Sequence, residues 1–498
     1  MSDSRKNYHR GRKKQQVKET RKSEKGGTGL KRAGFIIVLI QLMVSVLLVA
    51  TIGMTGFAPM KYLVIVGGGL LFLFLITFSL QFGKKKAKIV GIVFSLLFSV
   101  IVGYGIYFVI SANNLAGKVS GGKYKTDNMV VVVKDSDPAK TLKDAKDYTF
   151  GYQIATDAKN NGTMISAMEE ELESTIATRE YNSLNEVAEA VLSGEVKAAF
   201  YNEGYGSMLE DTIEGYSGQV RVIYQHGIHT EVKEEEVEKD VSKAFTVYIS
   251  GIDVSGPITT NSRSDVNILM TINPDTKKVL LTTTPRDFYV TIPEVSGDAR
   301  DKLTHAGIYG VDASMRTLSQ LYDIPIQYYA RVNFDSLIQI VDAVGGVEVY
   351  SEETFVTEIG GYQINEGMNQ LDGQKALGYV RERYALAGGD VQRGINQQKV
   401  ITAIFKKMLS PTLLTNFGQI LGSVEGSVQT NMTKDEMSKL VNDQLATGGD
   451  YDIQSASAIG TGDEQPCFSS GAQPLYVMWP DENVINDIKA HMKEVIGE

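Results

Sequence analysis

Three long apolar runs dominate the first part of the hydrophobic pattern: Ala33–Gly53, Met60–Phe82 and Ile89–Ile110. Each has about 20 residues, the length that a helix needs to cross the hydrocarbon core of a bilayer. No charge interrupts the interior of any run. Because backbone polar groups must be satisfied inside lipid, residues 33–111 are predicted to form three transmembrane helices.

The lysine and arginine residues around these runs predict their orientation. Residues 1–32 contain twelve of them and only three acidic residues. Met54–Pro59 contains none, whereas the second connection contains Lys84, Lys85, Lys86 and Lys88. By the positive-inside rule, the tail and the second connection are cytoplasmic, and everything after Ile110 lies outside the cell membrane. The tail is interpreted as an anchor attracted to anionic lipid, with a nucleic-acid-binding arm as the alternative.

Residues 113–240 alternate between short strand patterns and amphipathic helix patterns. The alternation predicts a small extracellular α/β accessory domain, which would bind a partner or a sugar polymer. Its acidic end, Glu231–Asp240, is interpreted as a linker. The predicted strands are Met129–Val133, Thr149–Ile154, Ala198–Tyr201 and Val220–Tyr224, and the predicted helices are Asn161–Thr175 and Leu184–Leu192.

Residues 245–498 are predicted to form a second external domain, again α/β, with a mixed sheet and packed helices. A hairpin is its clearest element, because Val266–Ile272 and Val279–Thr284 flank a Pro-Asp turn. If Ile272 pairs with Val279, Asp265 falls opposite Arg286. The open end of the hairpin then presents four charged side chains together, Arg263, Asp265, Arg286 and Asp287.

The rest of this domain alternates further strands and helices. The predicted strands are Tyr328–Val332, Val347–Tyr350 and Asp452–Ile459. The predicted helices are Asp312–Tyr322, Asp335–Val344, Asp372–Tyr379, Asp390–Met408, Thr433–Ala446 and Asp481–Ile496.

The hairpin mouth combines the residue types of a metal–phosphate site. Carboxylates are ligands for Mg²⁺, and arginines bind the phosphate oxygens that the metal leaves free. A surface cluster of salt bridges is the alternative interpretation of the same residues.

A second group of arginines lies in the stretch Gly378–Gln397. Arg381 and Arg383 precede a Gly-Gly break, and Arg393 and Gln397 follow it at a spacing that puts both on one helix face. Guanidinium groups that converge in this way suit a phosphate or pyrophosphate. The alternative is that they pair at the surface with the neighbouring acids Glu382 and Asp390.

Charge and cysteine content exclude some functions. Of the 50 Lys/Arg residues, 17 precede residue 113, together with three of the 59 acidic residues. The remaining chain therefore has 33 basic and 56 acidic residues, a formal charge of −23, which argues against nucleic-acid binding there. Cys467 is the only cysteine, so an intrachain disulfide framework and a cysteine-based zinc site are excluded.

Five ordered blocks within residues 251–411 resemble the LytR–CpsA–Psr family of Gram-positive bacteria. The three predicted spans and the accessory domain resemble its capsule-biosynthesis members in particular. The blocks are SRSD (Ser262–Asp265), TTPRDFYV (Thr283–Val290), KLTHAGIYG (Lys302–Gly310), RVNFDSLIQIVDAVGGVEV (Arg331–Val349) and LDGQKALGYVRERYALAGGDVQRGINQQ (Leu371–Gln398).

The resemblance implies a membrane-anchored phosphotransferase. It would take a capsular polysaccharide linked to undecaprenyl pyrophosphate and attach it to peptidoglycan through a phosphodiester. It also implies Mg²⁺ as cofactor, contact with the membrane and with other capsule-biosynthesis proteins, and no nucleic-acid partner. Two alternatives remain open at this point: a regulatory or sensor protein that controls capsule synthesis or transcription, and a polyprenyl pyrophosphatase.

The resemblance also implies roles for individual residues. Asp253 and Asp265 match the metal-binding aspartates. The resemblance assigns no general base; Asp287 is a candidate because it lies next to the charged cluster with Arg263 and Arg286. The residues that match the pyrophosphate contacts are Arg263, Arg286, Arg381, Arg383, Arg393 and Gln397. The polyprenyl chain would lie against apolar faces of Val311–Leu321, Leu337–Val341 and Val400–Phe405.

The chain departs from the family pattern at two positions. Asn396 stands where many members have another arginine, and Val311 stands where a second glycine is usual. His305, within the third block, is predicted to be a hydrogen-bonded structural residue and not a catalytic one.

Overall fold

The structure is a computed structural model that describes residues 29–54, 60–119, 124–154, 156–232, 237–252, 258–386, 388–410, 413–414, 417–424 and 426–498. The chain forms two compact units. One contains the apolar N-terminal helices, and the other contains Ala116–Leu440 and Thr447–Glu498. The second unit therefore includes both the accessory region and the region with the family blocks.

Three N-terminal helices, α1 (Gly29–Met54), α2 (Met60–Leu80) and α3 (Lys85–Val119), are long and apolar enough to cross a membrane. Helices are therefore present at the three predicted positions, and two of them extend beyond the predicted bounds. The Thr77 hydroxyl on α2 donates a 2.8 Å hydrogen bond to the buried Gln41 carboxamide oxygen on α1. This contact satisfies polar side chains between two apolar helices, as helices that cross a membrane require.

The accessory region is a five-stranded sheet with the order β3-β2-β4-β1-β5 and packed helices. All four predicted strands are present. Strand β3 is not among the predicted strands, because its side chains are almost all exposed and therefore lack a buried apolar pattern. The strands are β1 (Tyr124–Lys134), β2 (Thr149–Gln153), β3 (Ala177–Tyr181), β4 (Ala198–Asn202) and β5 (Val220–Glu231), and the helices are α4 (Ala158–Leu172), α5 (Leu184–Ser193), α6 (Gly206–Thr212) and α7 (Tyr216–Gln219).

The region with the family blocks is organised around a mixed six-stranded sheet of order β16-β11-β6-β7-β8-β17. Its predicted hairpin has the predicted register, since Ile272 pairs with Val279. The sheet strands are β6 (Phe245–Ile252), β7 (Ser264–Asn273), β8 (Lys278–Thr283), β11 (Tyr328–Val332), β16 (Val428–Thr430) and β17 (Asp452–Ser457).

Side chains alternate across the central strands and so create a core on each face of the sheet. Leu269 and Leu280 face one core, which contains Ile488. Ile268 and Leu281 face the other, against Ile401. The helices of this region, of which α8 and α13 are short, are α8 (Leu303–Ala306), α9 (Val311–Tyr322), α10 (Phe334–Ala343), α11 (Gly373–Arg381), α12 (Gly389–Met408), α13 (Phe417–Ser423), α14 (Lys434–Thr447) and α15 (Glu482–Ile496).

Short strands form four two-stranded sheets around this framework. They are β9 (Tyr289–Thr291) with β10 (Arg300–Lys302), β12 (Val347–Ser351) with β15 (Gly367–Leu371), β13 (Phe355–Val356) with β14 (Gln363–Ile364), and β18 (Gly460–Pro466) with β19 (Pro474–Pro480).

Several strands of the central sheet begin or finish at the same side of the sheet. This side, which runs across the strand ends, is called the strand edge. The parallel strands β6 and β11 finish there, since Gly251 pairs with Val332. The antiparallel strand β7 begins at the same edge, where Gly251 faces Val266. Strands β8 and β17 also finish there, with Ser457 beside Thr283. Residues that follow or precede these ends are therefore brought together.

Candidate active site

An ion pair at this edge joins the two sides of the hairpin mouth. Arg286 Nη1 donates to Asp265 Oδ2 at 2.9 Å, which confirms that these residues lie opposite each other. The Thr304 hydroxyl donates to the other carboxylate oxygen, Oδ1, at 3.0 Å. The Asp265 carboxylate is therefore fixed from both sides by polar groups.

The charge of Asp265 is set by its neighbours. Burial alone would raise the pKa of its carboxyl group, but the positive charges of Arg286 and Arg263 and the Thr304 hydrogen bond outweigh burial and lower the pKa. Asp265 is therefore ionised at neutral pH. An ionised, largely buried carboxylate is available both to orient arginines and to bind a cation.

The other two charged residues of the mouth are close to this pair. Asp287 Oδ1 lies 2.5 Å from Lys302 Nζ, and Asp287 Oδ2 lies 3.8 Å from Arg286 Nε. Arg263 Nη1 donates to Asp211 Oδ2 at 2.8 Å. The structure thus brings together the four predicted residues, and it adds Lys302 from β10 and Asp211 from the accessory region.

An apolar cavity of about 310 Å³ extends from the same edge of the sheet. Val266, which follows Asp265, lines it together with Gly251 and Val332, so the cavity reaches the end of the sheet at which the ion pair lies. Strands β6, β7 and β11 form one side of the wall, and helices α10, α11 and α12 form the other, with Leu337, Ile340, Leu377, Val400, Ile404 and Phe405. Two of the three predicted apolar faces therefore line the cavity. The third, Val311–Leu321, contributes to the core on the opposite face of the sheet.

Two of the predicted anion-binding residues lie at this cavity. Arg381, at the end of α11, places its guanidinium carbon 4.0 Å from the centre of the Phe334 ring, a cation–π contact that holds the side chain in position. Gln397 on α12 also lines the cavity, and its amide nitrogen donates to the Val380 carbonyl oxygen at 3.4 Å. The Arg381 guanidinium and the Gln397 amide therefore lie where the apolar wall of the cavity meets solvent.

Glu382 lies in the loop between α11 and α12, which also carries Arg383 and is called the arginine loop below. Its carboxylate organises this loop through backbone hydrogen bonds and forms no ion pair with Arg381 or Arg383. One of its oxygens accepts the backbone N–H groups of Arg383, Tyr384 and Ala385, and the other accepts that of Glu358. The predicted alternative, that Glu382 neutralises the surface arginines, is therefore wrong. Arg381 and Arg383 form no ion pair within the described residues. The Arg383 guanidinium is exposed and lies over the ring of its neighbour Tyr384.

Helix α12 brings the last arginine to the strand edge. Its Gly394 packs so closely on β8 that an added Cβ would lie 3.1 Å from the Thr283 Cγ2 atom. Arg393, the preceding residue, therefore lies near the end of β8. Asn396, where the family pattern often has arginine, is buried and its amide lies 3.5 Å from the Tyr379 carbonyl oxygen.

The second predicted metal ligand, Asp253, lies outside the described residues. Among the described residues, no group of three His, Cys, Asp or Glu side chains is arranged to hold a metal ion. Mg²⁺ commonly binds through one or two carboxylates and completes its shell with water and substrate phosphate. The ionised carboxylate of Asp265 fits that requirement.

His305 is fully buried behind the site. Its Nδ1 lies 2.6 Å from Asp301 Oδ1 and 2.9 Å from the Ser469 hydroxyl. The prediction of a hydrogen-bonded structural histidine is therefore confirmed.

Replacing Glu382 by glutamine should destabilise the arginine loop. The amide nitrogen of glutamine cannot accept a hydrogen bond, so at least one buried N–H group loses its partner, at a cost of about 1–3 kcal/mol. Burial would raise the pKa of Glu382, but the backbone N–H groups lower it. The ionised Glu382 carboxylate therefore contributes fully to the free energy of unfolding at neutral pH. This contribution decreases as the pH falls below the ordinary glutamate pKa of about 4.3. Denaturant unfolding across pH measures both effects, with the exposed Glu366→Gln as control; equal stability of the two variants would contradict this role.

Four site residues have roles that the sequence does not predict: Asp211, Lys302, Thr304 and Glu382. Only Glu382 carries a local signal. It caps the C-terminal end of α11, where the helix dipole disfavours a negative charge, so another contact has to stabilise it there. The other three reach the site only through tertiary contacts.

The fold and the site together define a class of protein: a chain with three membrane-length helices and an α/β domain in which a cationic site adjoins an apolar cavity. The LytR_cpsA_psr family model matches residues 215–493, which is more than half of the chain. The chain belongs to this family.

Proteins named polyisoprenyl-teichoic acid–peptidoglycan teichoic acid transferase TagU are similar to this chain. The Enterococcus faecalis protein is 36% identical over 220 residues, 44% of this chain and 71% of the relative. The Bacillus subtilis protein is 31% identical over 263 residues, 53% of this chain and 81% of the relative. Among solved structures, the family protein YwtF (TagT) with bound octaprenyl pyrophosphate lipid has a TM-score of 0.41 and 26% identity, and the match covers 53% of this chain and 95% of that one.

Proposed function

We propose that this protein is a membrane-anchored, Mg²⁺-dependent phosphotransferase that attaches capsular polysaccharide from an undecaprenyl-pyrophosphate-linked donor to peptidoglycan. The relatives' names support the reaction class, because they specify a polyisoprenyl-linked polymer and a peptidoglycan acceptor. The three predicted spans would keep the N-terminus in the cytoplasm and the two α/β regions outside, where the acceptor is located.

One observation carries the proposal: the adjacency of the apolar cavity and the cationic strand edge. Arg381 and Gln397 belong to the cavity wall, and Val266 connects that wall to Asp265 and its partner Arg286. A polyprenyl pyrophosphate matches this arrangement, because it consists of an apolar chain joined to a compact group of negative charges. The cavity would receive the first isoprene units, and the arginines would bind the pyrophosphate.

The side chains would promote transfer mainly by electrostatic stabilisation. Arg263, Arg286 and Arg381 would neutralise the pyrophosphate oxygens and the charge that develops on the leaving group. An acceptor hydroxyl would attack the sugar-linked phosphorus, forming a new O–P bond as the P–O bond to the lipid phosphate breaks. We assign Asp287 to receive the hydroxyl proton, since its contacts to Lys302 and Arg286 fix it beside the pair. Arg383 and Arg393 would complete the anion-binding set.

We propose that Asp265, together with Asp253, binds Mg²⁺. When bound, the ion would add positive charge at the pyrophosphate oxygens and polarise the bond that breaks. Asp265 would also keep Arg286 in position, because it holds that guanidinium by a charge-assisted hydrogen bond.

Reconstitution tests the proposal directly. The full-length protein in detergent is incubated with a polyprenyl-pyrophosphate-linked polysaccharide and peptidoglycan, with and without Mg²⁺. We expect Mg²⁺-dependent formation of covalently linked polymer. Release of free lipid phosphate without linked polymer would instead identify a pyrophosphatase.

A regulatory role is the second candidate, favoured by the strongly basic tail. In that case deletion of Ser2–Lys25 would change capsule transcript levels while transfer by the purified protein stayed normal. The phosphotransferase proposal expects unchanged transcripts and a loss of wall-attached capsule only when the external arginines are replaced.

Filling the cavity should block the lipid donor selectively. Ile404→Trp adds a bulky ring to the cavity wall, and we expect at least a roughly tenfold rise in KM for a long-chain polyprenyl donor, since the variant removes space for apolar contacts. Binding of inorganic pyrophosphate, measured by calorimetry, should stay unchanged. Val391→Trp, at an exposed position of the same helix, is the matched control. Equal KM values for the two variants would exclude the cavity as the lipid site.

A further inference from the structure

The loop that carries Arg263 is held by the accessory region. Its residues Thr259 and Asn261 form two backbone hydrogen bonds of 2.8 Å with Thr126 of β1, so that Thr126 and Thr260 form a parallel bridge. The Asn261 amide donates to the buried Asp127 carboxylate at 2.8 Å. These contacts attach the loop to the accessory sheet just before the hairpin mouth.

The opposite side of the same loop is held by the sheet that bears the family blocks. Arg331, which is fully buried, donates from Nη2 to the Thr260 carbonyl oxygen at 2.8 Å. Burial lowers the pKa of its guanidinium to about 10, so it stays charged at neutral pH. The loop is thus clamped between the two α/β regions, and Arg263 leaves it in a defined direction.

Asp211 then constrains the Arg263 side chain itself. It lies on α6 of the accessory region, and its carboxylate accepts one N–H of Nη1 at 2.8 Å. The Arg263 side chain is only 14% exposed, whereas that of Asp211 is 42% exposed, so the pair lies at the boundary between the site and solvent. Its Nε is buried and has no hydrogen-bond partner among the described residues. A guanidinium has five N–H donors, so those that Asp211 does not use remain available to a bound anion.

We propose that Asp211 is a positioning residue for the transfer site, supplied by the accessory region. By holding Nη1, the carboxylate fixes the Arg263 guanidinium at the hairpin mouth, where a phosphate oxygen would bind. The accessory region is therefore part of the active site and not only a binding module. This inference rests on the proposed function, since it assumes that Arg263 contacts pyrophosphate.

Geranyl pyrophosphate binding to the full-length protein in detergent, measured by calorimetry, tests this role. We expect Asp211→Ala to weaken binding about tenfold, because a charge-assisted hydrogen bond no longer orients the guanidinium. Asp211→Glu restores an acceptor and should remain within about threefold of wild type. Glu214→Gln, an exposed acid a few residues away, should bind as wild type does. In transfer assays, Asp211→Ala should raise the donor KM while kcat and the thermal unfolding midpoint change little.

The outcomes separate this inference from the proposed function. If wild type does not bind geranyl pyrophosphate, the proposed site is refuted, and the role of Asp211 falls with it. If wild type binds and Asp211→Ala binds equally well, only the role of Asp211 is refuted. A lower unfolding midpoint in Asp211→Ala without rescue by glutamate would show a structural role and also overturn the inference.

Discussion

Arg286→Ala should reduce polymer transfer by about 10²–10³-fold, the usual loss when a fixed charge or donor at a transition state is removed. The effect is expected to be large because the guanidinium contacts both carboxylates of the hairpin mouth, Asp265 at 2.9 Å and Asp287 at 3.8 Å. Without this guanidinium, less positive charge faces the pyrophosphate, and the Asp265 and Asp287 carboxylates lose a contact that holds them in place. The rate of covalent attachment to peptidoglycan, measured with purified full-length protein, checks the prediction.

Two further variants distinguish a lost site residue from a damaged fold. Arg179→Ala removes an arginine that is half exposed in the accessory region, and it should transfer at the wild-type rate. Arg286→Lys keeps the charge but loses the planar fork, so its activity should lie between wild type and alanine. In cells, Arg286→Ala should release capsule into the medium. Normal wall attachment by a stably expressed Arg286→Ala protein would refute the proposed site.

Removal of Mg²⁺ should abolish transfer, and Asp265→Asn should do the same in the presence of Mg²⁺. The wild-type carboxylate is ionised, because the charges of Arg286 and Arg263 overcome the effect of burial on its pKa. Asparagine keeps the size but loses the charge that a hard cation requires. We expect a loss of at least about 10²-fold, with a higher Mg²⁺ concentration needed for half-maximal activity.

A titration of activity against Mg²⁺ concentration measures this effect. Asp298→Asn, at an exposed position between β9 and β10, is the control and should follow the wild-type curve. If chelated wild-type protein transfers at the normal rate, the metal requirement is wrong. If wild-type protein requires Mg²⁺ and the Asp265→Asn variant follows the same titration curve, the metal is bound by other residues.

The hairpin shows how much local pattern can predict. The turn around Pro274 and the alternation on both sides determine the register, and the register alone places Asp265 opposite Arg286. The three apolar N-terminal helices also follow from local pattern, because each is a long uninterrupted run of apolar residues. In these places the physical constraint lies within a short stretch of chain.

Other parts of the site depend on contacts that periodicity does not encode. The apolar stripes of α9 and α10 look alike in sequence, but only α10 lines the cavity, since the two helices cover opposite cores. Glu382 next to arginines suggested ion pairs, but backbone N–H groups compete more successfully for its carboxylate. Asp211 and Arg263 are far apart in the chain, and only the packing of two α/β regions brings them together.

The strand order of the central sheet has a consequence for biogenesis. Both edge strands, β16 and β17, are synthesised after every proposed phosphate-binding side chain, and β17 pairs in parallel with β8, 174 positions earlier. A nascent chain that has just completed α12 therefore exposes unpaired β8 and β11 edges, a state prone to aggregation. Mutations or early stops in the last tenth of the chain can thus abolish activity while leaving every family block unchanged, and cellular quality control has to act on that late-folding edge.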